Sequence, residues 1–153
     1  MNIRLFEARC AACRASFAKP ELGDFAYGSF IFTGVSGTVH AYFEAIENPV
    51  WKRAEGFVPT LTNGIQRGDF LLAACAHFAD PVGGQRLTAD HVCPKCRSHE
   101  LASWAGQRMG EAEIPEASFR TFLSLAEADR LREIAEFKSG FEAQQCAASD
   151  ASE

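Results

Sequence analysis

Four of the six cysteines in this chain lie in two Cys-x-x-Cys pairs, which is the spacing of metal-binding turns. The pairs read Cys10-Ala-Ala-Cys13 and Cys93-Pro-Lys-Cys96. Two intervening residues let both thiolates of a tight turn point at one ion, and two such turns complete a tetrahedral shell of four sulfurs around Zn²⁺. We therefore expect Cys10, Cys13, Cys93 and Cys96 to bind one zinc ion. The alternatives are four reduced thiols without metal, or a redox pair.

A shell of four cysteines leaves no coordination position open for water or substrate, so the zinc should be structural rather than catalytic. A redox role needs a pair at the N-terminus of a helix, where the thiol pKa is lowered. Residues 18–23, which follow the first pair, read Ala-Lys-Pro-Glu-Leu-Gly and cannot sustain such a helix. Of the two remaining cysteines, Cys75 lies in an apolar run and should be buried and inert, and Cys146 should be exposed.

Charged and histidine side chains surround the two pairs. His91 and His99 flank the second pair, and either could replace a thiolate or donate a hydrogen bond to one; the alternative is an ordinary surface histidine. Four basic residues could offset the negative charge of a zinc–tetrathiolate centre. They are Arg9, Arg14, Lys95 and Arg97. Alternatively, these four form a small basic patch for phosphates or for an acidic partner.

The sequences around both pairs resemble the knuckles of zinc-ribbon proteins. The resemblance covers about residues 4–18 and 89–104, and Pro94 presets the backbone after the first ligand of the second pair. It implies a β-strand, a knuckle and a returning strand, with zinc between the knuckles. Arg14 and Arg97 occupy the positions where ribbon knuckles commonly carry glycine. The 79 residues between Cys13 and Cys93 far exceed the usual spacer, so we expect an inserted module at 19–88.

Length and composition favour one globular domain. The chain has 153 residues, of which 47% are hydrophobic and 23% are charged, and a chain of this size can bury a core without disulfides. Its thirteen Phe residues favour a packed interior. The longest apolar run, residues 70–76, is too short to span a bilayer, and the N-terminus lacks the apolar stretch of a secretory signal. We therefore expect a cytoplasmic protein with no membrane partner.

The net charge of −5 is unevenly distributed, since residues 100–153 carry five basic and eleven acidic residues. Non-specific affinity for nucleic acid comes from neutralising phosphates, so an acidic chain disfavours that class of partner.

Hydrophobic patterns predict the elements that position the cysteines. Residues 25–33 and 38–46 alternate as two strands around Gly34-Val35-Ser36-Gly37, which predicts a β-hairpin. Asn48-Pro49 predicts a helix to about Phe57. A second helix should run from about residue 62 to 79, and a ribbon strand from 100 to 105.

The C-terminal part should contain a connector at 107–114 and one helix. Ser124-Leu125-Ala126-Glu127 has the pattern of a capping box, which predicts a helix over about 124–139. Residues 144–153 should form a disordered tail. The predicted fold is α+β: zinc-ribbon-like β knuckles clasping an inserted β-hairpin/helix module, with a C-terminal helix, in one zinc-stabilised domain over 1–143.

These features favour a small module with a structural zinc site that acts by binding another protein. Nucleic-acid binding is an alternative, because many zinc ribbons serve the transcription or translation machinery. An enzyme whose catalytic residues come together only in the folded chain is a third, although the sequence contains no recognisable catalytic motif.

Overall fold

The computed structural model describes residues 1–23, 26–59 and 64–151, and within these ranges it contains two antiparallel sheets and four helices. The first sheet, called the ribbon sheet below, consists of β1 (Asn2–Cys10), β2 (Ser16–Glu21), β6 (Leu101–Ser103) and β7 (Arg108–Glu113). The second consists of β3 (Ser29–Gly34), β4 (His40–Glu44) and β5 (Leu87–Thr88). The helices are α1 (Pro49–Glu55), α2 (Gly64–Phe78), α3 (Arg120–Ser124) and α4 (Glu127–Asp150). The predicted α+β class is confirmed.

The ribbon sheet is built around β1. Strand β2 pairs with one edge of β1, in register from Arg4 opposite Glu21 to Arg9 opposite Ser16. Both β6 and β7 pair with the other edge, β6 at the Cys10 end and β7 along residues 2–6. The strand, knuckle and returning strand predicted at the first cysteine pair are therefore present.

One prediction in this region is wrong. Residues 107–114 were expected to form a connector, but β7 covers most of that segment. Its sequence, Arg-Met-Gly-Glu-Ala-Glu, contains no β-branched residue, so local propensity did not indicate a strand. Pairing with the free edge of β1 overrides that propensity.

The second sheet contains the predicted hairpin in a shorter form. Strands β3 and β4 pair from Ser29 opposite Glu44 to Thr33 opposite His40, around the predicted glycine-bounded turn. The first strand was predicted to begin at residue 25, which lies outside the described residues. Ala41, Phe43 and Ala45 are buried, as the alternation predicts. Strand β5 has only two residues and was not predicted.

Helices cover the hairpin and enclose a phenylalanine-rich core. Helix α1 begins as predicted, because the side chain of Asn48 accepts hydrogen bonds from the N–H groups of Val50 and Trp51. Helix α2 ends within one residue of the prediction; the predicted start, at 62, lies outside the described residues. Buried side chains from the second sheet and from all four helices meet in this core. They include Phe32, Phe43, Val50, Phe70, Phe122 and Ile134.

The C-terminal helix departs from its predicted boundaries at both ends. The predicted capping box is absent, because α4 starts at Glu127 without a side-chain cap. The Ser124 hydroxyl donates instead to the Thr121 carbonyl within α3. Helix α4 continues to Asp150, so residues 144–150 are helical rather than a disordered tail. This segment reads Gln-Gln-Cys-Ala-Ala-Ser-Asp, and four of its seven residues are alanine or glutamine, which are strong helix formers.

Asp80 connects the end of α2 to the start of α3. Its carboxylate accepts hydrogen bonds from the Ser118 hydroxyl at 2.7 Å and from the N–H groups of Arg120 and Thr121 at 2.8 and 3.1 Å. Its own N–H donates to the Ser118 carbonyl. The bonds from Thr121 and Ser118 lower the pKa of Asp80 to about 2.

We expect Asp80→Ala to lower the free energy of unfolding by about 1–2 kcal/mol, as loss of a helix cap does. Because the folded-state pKa is depressed, this stabilisation is fully present above the ordinary carboxyl pKa and disappears as the pH falls towards 2. Urea unfolding at neutral and acidic pH measures the difference. The control is Asp150→Ala at the exposed end of α4. Equal effects of the two substitutions at neutral pH would contradict the assignment.

Candidate metal centre

The four paired cysteines converge in the folded chain. The Sγ atoms of Cys10 and Cys96 lie 3.6 Å apart and those of Cys13 and Cys93 lie 3.7 Å apart. All four sulfurs are within 4.8 Å of one another. In a tetrahedral site with Zn–S bonds of about 2.3 Å, neighbouring sulfurs are about 3.8 Å apart. The cluster therefore has the donor set and the spacing to hold one metal ion.

The two knuckles have matching backbone hydrogen bonds. In the first, the Cys10 N–H donates to the Ala15 carbonyl at 3.0 Å and the Arg14 N–H to the Cys10 carbonyl at 3.1 Å. In the second, the Cys93 N–H donates to Ser98 and the Arg97 N–H to Cys93, at 2.9 and 2.8 Å. These bonds fix each turn so that both of its sulfurs face the other knuckle.

Arg14 and Arg97 hold the same unusual backbone conformation, with φ angles of 65° and 64°. This left-handed region favours glycine, and a residue with a Cβ atom is strained there. The requirement explains why ribbon knuckles commonly carry glycine at this position. The chain therefore bears a conformational cost at the same position in each knuckle in order to carry an arginine there.

The thiols of the cluster differ in pKa because their surroundings differ. Hydrogen bonds from the backbone, chiefly from Cys13, lower the pKa of Cys10 to about 6. Burial raises the pKa of Cys93, but the N–H groups of Cys96 and Lys95 outweigh it and lower the pKa overall. At Cys96, burial and the neighbouring sulfurs overcome a backbone hydrogen bond from Ser98 and raise the pKa to about 11. Without a cation, the cluster thus favours ionisation of Cys10 and Cys93 and disfavours ionisation of Cys96.

The four flanking basic residues are exposed, and they form no salt bridge within the described part of the chain. All fifteen Lys and Arg residues lie in the described ranges, and eight of them form salt bridges there. The other seven include all four that flank the knuckles: Arg9, Arg14, Lys95 and Arg97. Their positions are compatible with the predicted electrostatic role, which stays a prediction.

The two histidines lie outside the group of metal-competent side chains found in the described residues. His99 Nδ1 is 3.3 Å from a carboxylate oxygen of Asp90. His91 lines a cavity of about 270 Å³ together with Lys19 and Glu21. Cys75 is buried in the core, where burial raises its pKa to about 12, and Cys146 is exposed.

The cysteine cluster is separate from the hydrophobic core. Among the described residues, the core contains no member of the ribbon sheet and none of the four cysteines. Residues 114–117 form one link between the two regions: Ile114 bonds to Met1 beside the ribbon sheet, and Pro115 and Ala117 bond to Tyr42 of β4. Sequence reasoning did not find this link.

A second link joins the hairpin turn to the second knuckle. At Gly37, whose φ is 78°, a Cβ atom would lie 2.6 Å from the Val92 carbonyl oxygen and 2.9 Å from the Pro94 nitrogen. Only glycine permits the two backbones to approach so closely. The glycine-bounded turn was visible in the sequence, but its contact with the knuckle was not.

No protein-family model, curated protein or solved structure gives a significant match to this chain. The likeness to zinc ribbons therefore rests on the two knuckles. Within the described ranges, none of the helices combines the length and apolar character that crossing a bilayer requires.

We expect Gly37→Ala to loosen the second knuckle and to lower the free energy of unfolding by about 2–4 kcal/mol, because it adds a backbone clash to conformational strain. The matched control is Gly84→Ala, since Gly84 has a similar φ of 74° with no atom near its Cβ position. The control should cost only about 1–2 kcal/mol. Urea unfolding and the rate of metal release to a chromogenic chelator measure both variants. Equal losses would show that the contact with Val92 and Pro94 contributes nothing.

Proposed function

We propose that this chain is a zinc-stabilised module that acts by binding another protein. The observation that carries the proposal is that the four sulfur atoms of Cys10, Cys13, Cys93 and Cys96 lie within 4.8 Å of one another. Four thiolates complete the coordination shell, so the ion would have no position for water or substrate. Its role would be structural.

The chemistry of the donors favours zinc. Tetrahedral sites of four thiolates select zinc or iron–sulfur centres over hard cations such as Mg²⁺ and Ca²⁺. The unpaired cations near the knuckles would offset the net negative charge of a zinc–tetrathiolate centre. Thiolates persist in a reducing compartment, which supports our expectation that the protein is cytoplasmic.

Surface features support binding rather than catalysis. Tyr27 is 89% exposed and Trp104 is 63% exposed, and large aromatic side chains are enriched where proteins contact each other. Two histidines make polar contacts: His99 Nδ1 lies 3.3 Å from an Asp90 carboxylate oxygen, and His40 Nδ1 lies 3.3 Å from the Thr33 hydroxyl oxygen. Affinity capture with the zinc-loaded chain from nuclease-treated extract of its source cell should retain a stoichiometric protein.

Nucleic-acid binding is the second candidate, favoured by the strained arginines. Exposed Trp104 follows β6, whose Ser103 pairs with Arg9, so an aromatic ring and a cation that forms no salt bridge with the described residues belong to the same end of the ribbon sheet. Bases stack on aromatic rings, and cations neutralise phosphates. The net charge of −5 opposes this function.

For the metal, we expect one zinc per chain, lost in both Cys10→Ser and Cys93→Ser. Because structural zinc contributes folding energy directly, each variant should lose roughly 5 kcal/mol or more of stability. Hydrogen exchange should show the loss of protection concentrated in the ribbon sheet, since the hydrophobic core is separate. The control, Cys146→Ser, alters an exposed cysteine outside the cluster and should retain zinc. Metal-free native protein, or iron in place of zinc, would contradict the proposal.

The double variant Arg14→Gly/Arg97→Gly separates the two candidate functions. Relief of the left-handed strain should keep the fold at least as stable as the native one. If the module binds protein, labelled single-stranded RNA and DNA should show no binding at about 0.15 M ionic strength. Salt-dependent binding that this variant abolishes would establish the nucleic-acid function instead. Arg120→Gln/Arg132→Gln removes the same charge outside the knuckles and serves as the control.

A further inference from the structure

A groove of about 830 Å³ runs between α2, β5 and α4, in a different part of the surface from the knuckles. Its floor is apolar and aromatic, with Leu72, Ala76, Leu87, Phe137 and Phe141 among the lining residues. The volume falls in the range of protein sites that hold a ligand or the anchoring side chains of a peptide. The groove is therefore large enough to recognise a partner.

The groove exists because α4 packs against the core only as far as Phe141. Ile134 is fully buried, and the rings of Phe137 and Phe141 lie 5.8 and 5.3 Å from the ring of Phe70 in α2. Residues 142–150 are all exposed, so the last nine residues of the helix extend past the core. This leaves a trough bounded by two helices, with aromatic rings at its base.

The ionisable side chains that line the groove are four carboxylates and His77, whose pKa is lowered by burial and by the nearby Arg86. No Lys or Arg is among the lining residues. The carboxylates are Asp69, Asp90, Glu133 and Glu136. Asp90 faces His99, whereas the other three form no salt bridge among the described residues. These carboxylates form an acidic rim around the groove. The rim favours cationic ligands, because a peptide with Lys or Arg would supply the missing counter-charges.

The geometry points to a basic amphipathic helix of a partner protein as the occupant. We propose that its apolar side chains enter the groove over Phe137 and Phe141, and that Lys or Arg side chains beside them pair with Asp69, Glu133 and Glu136. This is the helix-in-groove mode of recognition. The inference rests on the proposed function, and it names both the surface and the partner chemistry.

The test uses the zinc-loaded full chain and a labelled synthetic helix of leucine and lysine, about four turns long. A second peptide keeps the leucines and replaces every lysine with glutamate. Fluorescence anisotropy measures binding of both peptides to native protein and to two groove variants. Glu133→Gln/Glu136→Gln removes two rim charges, and Ala73→Trp places a large ring on a half-exposed lining position. Glu113→Gln/Glu116→Gln removes the same charge outside the groove from exposed positions.

We expect the lysine peptide to bind and the glutamate peptide not to bind. The rim variant should weaken binding about tenfold, with a smaller dependence on salt. Ala73→Trp should weaken binding without altering charge, and the control variant should bind like the native protein. Equal weakening by the control, or binding of both peptides alike, would overturn the proposal, as would no detectable binding. A native dimer that Ala73→Trp dissociates would show that a second copy occupies the groove instead.

Failure of this inference is distinguishable from failure of the proposed function. If the groove variants still capture the cellular partner at native yield, the groove assignment is wrong and the binding module stands. If the native chain retains zinc but captures no protein, the proposed function fails whatever the peptides do.

Discussion

The convergence of four sulfur atoms is the constraint on which the rest of the structure depends. Cys13 and Cys93 are 80 residues apart in sequence, yet their sulfurs lie within 3.7 Å. To bring them together, the chain must leave the first knuckle, build the hairpin and two helices, and return in register. Closing so long a loop costs conformational entropy that a shared metal ion would offset. Three strands of the ribbon sheet adjoin the knuckles: β1 ends at Cys10, β2 begins at Ser16 and β6 begins at Leu101.

The molecule has two stabilising systems, the hydrophobic core and the cysteine cluster with its ribbon sheet. Phenylalanines from the second sheet and the helices make a conventional core, whereas the ribbon sheet has only a few buried apolar side chains, such as Ile3 and Ala8. In the described residues, the links between the systems include the turn at Gly37 against the second knuckle and residues 114–117 between the sheets, and strands β2 and β3 together line a cavity. A metal in the knuckles would therefore supply to the ribbon the order that burial supplies elsewhere.

Features set by a few neighbouring residues could be predicted from the sequence, and features set by distant pairing could not. The cysteine spacing predicted the cluster, Asn48-Pro49 predicted the start of α1, and alternation predicted the hairpin. Strand β7 was missed because its residues favour no strand until they meet β1. The capping-box prediction failed because Ser124 bonds within α3.

X-ray absorption spectroscopy of the metal in protein purified from its native cell tests the central claim most directly. Our account predicts a zinc edge and four sulfur neighbours at about 2.3 Å, with no nitrogen or oxygen ligand. A mixed shell with a histidine nitrogen or a water oxygen, a different metal, or no bound metal would contradict it.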